Sequence, residues 1–486
     1  MSIIILSEAS WPKIRIVKIN NGRIIESGLI VENSDKKPKK LSFISIYFLG
    51  INAVIGSSTF LLPAKIYHEM NLMAIVVLLL TAVVVSMIAL CYADLSSRFK
   101  GSGAAWLYAY HAFGRFTGYE LGVFTWFLGC CTLGAEIVAL LTTLKSFWPV
   151  LNNQTIYYLL AFGLIILFAI INFFGRSLVK LVNNISAAAK MITLLIFIIV
   201  GAFFIHQGNF SPIIPVAATK GAGPFLQHFG AAFTPIFYLF TGFSFIPIAA
   251  RQMNNPEKNI PLVLIAVMVS VTILDCLMMF VAIGLVGSKL STYSTPLASA
   301  LGNGIGKWGY SFIIVGMLIS IFGVAFSASF NAPSLIASLA NEQELLPAWV
   351  GKNNKHDAPW VGIIVTAILT GVFVTQSYLF LVSCTVLASF IQYVPSILAV
   401  IKFKHSNEFP NHGFKLPGKY TIPIIALIVS CYMVTNFTPV TLLVGVVVAA
   451  IGAVLYIFMD QDPAMEEMEK LHKEFLDKLR HNKIKF

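Results

Sequence analysis

Apolar runs of about 20 residues recur along nearly the whole chain, each long enough to cross the hydrocarbon core of a bilayer. Twelve spans are read this way: Ser42–Tyr67, Leu72–Asp94, Thr117–Leu144, Ile156–Phe174, Ile185–His206, Phe225–Arg251, Pro261–Gly287, Trp308–Leu339, Trp360–Thr375, Tyr378–Ile401, Ile422–Asn436 and Pro439–Met459. Only 11% of the residues are charged and 57% are hydrophobic, whereas about a quarter of a soluble domain is charged. An all-α polytopic membrane protein follows, with the lipid bilayer as its main surroundings.

The net charge of +12 invites a nucleic-acid reading, but the cations are sorted by side. With the N-terminus in the cytoplasm, only Lys65, Lys145, Lys220, Lys289 and Lys307 of the 33 Lys and Arg residues fall on the far side. Such a bias in short loops sets topology. Both termini are therefore expected inside the cell's cytoplasmic membrane, and no nucleic-acid partner is expected. Residues 1–41 read as a loosely ordered cytoplasmic tail ending in Asp35-Lys36-Lys37-Pro38-Lys39-Lys40, and Met465–Arg480, within a tail spanning 460–486, as a charged amphipathic helix. The first apolar run follows a basic stretch and is too long for the core of a cleaved signal. All six cysteines lie within or at the end of spans, so no disulfide framework is implied, and Cys130-Cys131 reads as packing.

The first span is broken. Ile51–Pro63 reads INAVIGSSTFLLP, placing Gly56, Ser57, Ser58 and Thr59 together near mid-membrane. Backbone groups freed in hydrocarbon are tolerable only beside a polar cavity or ligand. Pro63 suits the first turn of a restarted helix, so a half-helix is expected to begin near Ser58–Thr59 with its free N–H groups aimed at an anion. About 185 residues later Tyr238–Ser244, YLFTGFS, repeats the pattern. The two breaks are expected to face each other around a small zwitterionic substrate.

Of the ionisable residues inside spans, where charge is expensive, three are singled out. Glu136 serves either coupling or substrate contact, or else a structural hydrogen bond. Lys190 either snorkels to the interface or points inward beside the first break. Asp275 is expected to pair with a neighbouring helix. Ser327, Ser329 and Asn331 are the polar candidates of the eighth span, whose small residues allow close helix approach. The segment after the second span, RFKGSGAAWLYAYHAFGRFTG, is expected to pack on the membrane surface.

Several motifs together resemble the amino acid–polyamine–organocation (APC) transporter superfamily. Gly56–Pro63 is similar to its Gly-Ser-Gly, apolar pair and Pro, and Gly101–Gly114 to its Gly-Gly-x-Tyr-x-Tyr loop. Phe240–Ser244 with Asn255-Pro256-Glu257-Lys258-Asn259-Ile260-Pro261 resembles Gly-Phe-Glu followed by Asn-Pro-x-x-x-Ile-Pro. Leu339–Pro347 resembles the motif that closes the eighth span, and Phe414-Lys415-Leu416-Pro417 the Phe-Lys-x-Pro loop before span eleven. The resemblance implies a LeuT-type fold: spans 1–5 (42–206) and 6–10 (225–401) as inverted repeats, with spans 11 and 12 (422–459) outside them. It implies a substrate carboxylate on Ser57, Ser58 and Thr59 beside Gly56, and an ammonium on carbonyls near Ile55 and Phe240–Gly242, which includes Thr241. Tyr238 would be an aromatic gate, Lys190 would stand where relatives hold sodium, and Ser244 would face the site. Three departures stand out: Ser58 for the second Gly, Ser244 for the Glu, and Asn341-Glu342 where Arg-Asp is common.

The expected function is sodium-independent secondary transport of an amino acid or derived amine by alternating access, as proton symport or exchange. Glu136 and Lys190 are the candidates for ion coupling. The apolar lining of Phe60, Tyr238, Phe240, Phe243 and Phe245 points to a neutral substrate, while Glu136 leaves a cationic one open. The alternative is a non-transporting nutrient sensor or scaffold on the same fold. No metal-ligand spacing, nucleophilic constellation or phosphate loop supports an enzyme or a cofactor, and no filter or charge ring supports a channel.

Overall fold

The computed structural model describes residues 3–6, 15–20, 23–26, 42–99, 103–175, 179–253, 255–404, 406, 408–411 and 413–460. The chain divides into two units, Met1–Leu41 and Ser42–Phe486. In the first, β1 (Ile3–Leu6), β2 (Arg15–Asn20) and β3 (Arg23–Glu26) pair as an antiparallel meander, with Ile3 opposite Lys18 and Val17 opposite Glu26. Ile3–Leu6, Arg15–Asn20 and Arg23–Glu26 are thus strands, where a loosely ordered tail was expected. The basic stretch Asp35–Lys40 and the proposed helix Met465–Arg480 lie outside the described residues.

The second unit is helical. Its elements are α1 (Phe43–Val54), α2 (Ser57–Leu61), α3 (Pro63–Met70), α4 (Ala74–Ser96), α5 (Ala104–Phe113), α6 (Arg115–Lys145), α7 (Gln154–Phe173) and α8 (Val179–Ala202). There follow α9 (Ala222–Leu239), α10 (Pro256–Val286), α11 (Pro296–Ile305), α12 (Lys307–Glu342), α13 (Trp360–Phe373), α14 (Tyr378–Phe403), α15 (Thr421–Val434) and α16 (Pro439–Asp460). Among the described residues nine helices are long and apolar enough to cross a membrane, and α1, α13 and α15 are shorter apolar helices. The short α11 fills a stretch read from sequence as a loop.

Burial separates core from periphery. The most apolar window of α6 is 83% buried and that of α16 only 17%, so α6 runs through the centre while α16 turns most of its surface outward to lipid. Small residues let the central helices close up. A Cβ on Gly122 of α6 would lie 2.3 Å from Leu339 of α12, and one on Gly129 would lie 2.8 Å from Ala332. Along α12, Gly316 and Gly323 admit Thr193 and Ser186 of α8, where a Cβ would meet their hydroxyls at 2.0 and 1.9 Å.

Helix α5 departs from expectation. Trp106, Tyr108 and Ala109 are buried, and the helix packs on α6 and α14. Trp106 and Tyr108 are core, while Phe113 at the end of the helix is exposed.

Both expected breaks are present. Ser42 caps α1 by accepting from the Ser45 N–H at 3.3 Å, and the helix stops at Val54. Ile55 is extended, and α2 restarts at Ser57, earlier than the expected Ser58–Thr59. Pro63 opens a separate helix, α3, and lies beyond α2, so the one half-helix expected is two helices. In the sixth span α9 ends at Leu239 and a 3-10 segment, Phe243–Gln252, continues. Gly242 between them has φ +98°, and a Cβ there would lie 2.2 Å from the Ala53 carbonyl oxygen. The two breaks therefore touch. Gly242→Ala combines a left-handed backbone with a backbone clash, so the expected outcome is a loss of at least about 2 kcal/mol. Thermal unfolding in detergent checks this, and a wild-type midpoint would contradict the contact.

Candidate functional site

A helix broken in an apolar interior presents opposite partial charges at its two new ends, carbonyls on the first half and N–H groups on the second. The chain meets each end with a matching charge. At the start of α2, the Ser57 N–H donates to both Glu136 carboxylate oxygens at 3.2 Å, and the Ser57 hydroxyl donates to Oε1 at 3.0 Å. The Tyr378 hydroxyl lies 2.9 Å from the same Ser57 oxygen. Gly56 makes this approach possible, because a Cβ there would lie 2.5 Å from Glu136 Oε1. At the end of α1, Lys190 Nζ donates to the Ile55 carbonyl and to that of Asn52, the latter at 3.3 Å. Lys190 is fully buried. It points inward and does not snorkel.

Glu136 makes the structural hydrogen bond that was one of the uses open to it. The earlier start of α2 has the same cause: Glu136 supplies the acceptor that lets Ser57 join the helix. Tyr238, Tyr378 and Lys190 all lie within electrostatic reach of this carboxylate. On α10, Asp275 is fully buried and pairs with the broken span, accepting from the Thr59 hydroxyl at 3.2 Å through Oδ1. Its other oxygen has no hydrogen-bond partner. Glu136 and Asp275 thus contact Ser57 and Thr59 of one five-residue helical segment, while Ser58 between them is buried.

The second break contributes Tyr238, Phe240, Thr241, Gly242 and Ser244, of which the side-chain-bearing members are all buried. The Thr241 hydroxyl turns back to the Tyr238 carbonyl at 2.8 Å. Phe243 stacks on Tyr393 at 5.2 Å and meets Tyr92 edge-on at 5.5 Å, so aromatic rings pack next to the break.

The sequence is similar to known proteins over most of its length. The family model for amino acid permeases matches residues 41–459. The chain belongs to the amino acid permease family. It is 28% identical over 426 residues to an uncharacterised transporter of Mycobacterium tuberculosis, covering 82% of this chain and 87% of that one. It is 23% identical over 457 residues to the branched-chain amino acid permease BcaP of Bacillus subtilis, covering 88% and 95%. A methylthioribose transporter of the same bacterium is 25% identical over 447 residues, covering 86% and 92%. The protein is a multi-pass membrane permease and not an enzyme.

Four residues of this permease's central polar cluster were not singled out by sequence: Asn52, Asn183, Ser186 and Tyr378. Asn183, Ser186 and Lys190 fall at i, i+3 and i+7, one face of a helix, and that spacing was a readable signal. Tyr378 opens α14 and carried none.

Replacing the Glu136 cap tests its role. Glu136→Leu leaves the Ser57 N–H without an acceptor and its hydroxyl with Tyr378 alone, and is expected to cost about 2 to 3 kcal/mol. Glu136→Gln keeps one acceptor oxygen and is expected to cost about half as much. Thermal unfolding of the purified permease reads both, and equal losses would argue against the cap.

Proposed function

We propose that this permease carries an amino acid with a neutral, apolar side chain across the cytoplasmic membrane by alternating access, without sodium, as a proton symporter or exchanger. The observation that carries the reading is the buried Lys190 ammonium on the Ile55 carbonyl at the break. A fixed cation there leaves no room for a metal cation. Twelve spans arranged as two inverted five-helix repeats plus two further helices, with both termini cytoplasmic, place the breaks at mid-membrane.

In this reading the substrate carboxylate binds at Ser57, Ser58 and Thr59, in competition with the Glu136 carboxylate. Its ammonium binds carbonyls of Ile55 and Phe240–Gly242. Lys190 holds the Ile55 carbonyl, so the ligand and the lysine contend for one acceptor, which links binding to the charge on Lys190. Glu136, within reach of both, completes the coupling pair. Phe60, Tyr238, Phe240 and Phe243 are buried around the breaks and favour an apolar side chain. The relative named for branched-chain amino acids agrees with that preference.

Uptake of radiolabelled leucine into proteoliposomes tests the reading. Equal rates are expected with and without a sodium gradient, and strict sodium dependence would overturn it. Lys190→Ala is expected to lower uptake at least tenfold, on the order of 1.4 kcal/mol or more, while the protein remains monodisperse. Near-normal coupled uptake by that variant would remove the lysine from the mechanism.

Ser58→Gly enlarges the space beside the proposed carboxylate site. Competition by unlabelled leucine, alanine, lysine and ornithine is expected to change rank order in this variant. An unchanged order would mean that the carboxylate does not sit at Ser57–Thr59.

A further inference from the structure

Asn52 lies one turn before the first break, fully buried on α1. Both polar atoms of its side chain are engaged. Its Nδ2 donates to Asn183 Oδ1 at 2.7 Å and to Ser327 Oγ at 3.1 Å, and its Oδ1 accepts from the Ser186 hydroxyl at 3.1 Å. Asn183 and Ser186 belong to α8 and Ser327 to α12. Three helices are therefore knotted at one side chain. Gly323 makes room for the knot, since a Cβ there would lie 1.9 Å from Ser186 Oγ. Among the described residues, the side-chain hydrogen bonds found between the first-span residues 43–55 and either α8 or α12 all run through Asn52 or Lys190.

We infer that Asn52 is a positioning residue, a releasable latch that holds α1 against α8 and α12 and lets go when the site opens to the side from which α1 enters. The inference rests on the alternating-access reading above. Its physical basis is the kind of contact involved. A hydrogen bond is lost steeply with distance and angle. A cluster of them gives α1 a closed and an open position with little between. Hydrogen bonds between membrane helices are individually weak, so two or three can open in every cycle. A single large ion pair would hold too firmly. The latch also adjoins Lys190, which binds the carbonyl of the same asparagine at 3.3 Å. Displacing that lysine removes two further hydrogen bonds between α8 and the first span.

Hydrogen exchange of the full-length protein in lipid nanodiscs tests the latch. In Asn52→Ala, exchange across residues 43–54 is expected to rise about tenfold, the equivalent of two or three weak bonds, with α6 unchanged. Ser327→Ala removes one bond and is expected to give a smaller rise confined to the same residues. It carries the test alone if Asn52→Ala does not fold. Wild-type exchange across 43–54, or a rise spread equally over α6, would overturn the inference. Leucine transport supplies a directional readout. The latch variants are expected to raise KM several-fold for leucine entering from the side opposite α1, while KM from the α1 side does not rise. An equal change in both directions would mark a general lesion and also overturn it. No leucine transport by the wild-type protein would count against the proposed function only, and the exchange result would still decide the latch.

Discussion

A backbone interrupted in an apolar interior must find partners for the groups it frees, and here the partners are two buried charges of opposite sign. Glu136 takes the N–H end of α2, and Lys190 takes the carbonyl end of α1. Each charge faces the helix end whose dipole favours it. Either alone would be a costly isolated ion. Set on the two sides of one break, and within electrostatic reach of each other, they offset one another and make the break a stable feature.

The surrounding packing follows from that arrangement. Glu136 comes from α6 and Lys190 from α8, so both helices must lie close to the first span. Gly122 and Gly129 of α6 let α12 approach it, and Gly316 and Gly323 of α12 admit side chains of α8. Gly56 and Gly242 do the same at the breaks themselves, one for a carboxylate and the other for a carbonyl. A methyl group at any of these positions would push apart the elements that deliver the charges.

Much of this was legible in the chain. The run Gly56–Thr59 in an otherwise apolar span could only be a break, and FTGFS marked the second. The partner of Glu136 could not be read, because Ser57 lies 79 residues away and only the fold brings them together. For the same reason the start of α2 was expected too late: without Glu136 in view, Ser57 has no acceptor for its N–H. Lys190 was ambiguous because a long side chain reaches an interface or an interior equally well. Helix α5 misled through composition, since a mixed aromatic and polar segment looks alike whether it faces lipid headgroups or two neighbouring helices.

The internal charge pair bears on how a transporter of this design would cycle. A carrier whose break depends on its ligand for satisfaction would leave backbone groups unpaired in the apolar interior whenever it reoriented without cargo, a penalty of about 1 to 3 kcal/mol for each group. That penalty is one physical ground for obligatory exchange. Here Glu136 and Lys190 satisfy the break with the chain's own groups, so reorientation without cargo strands neither the Ser57 N–H nor the Ile55 carbonyl. In the proposed site the ligand instead displaces groups already bonded, which weakens its affinity and makes its binding sensitive to whatever changes the charge on either residue. Within the proposed function, both consequences favour proton-linked symport over obligatory exchange.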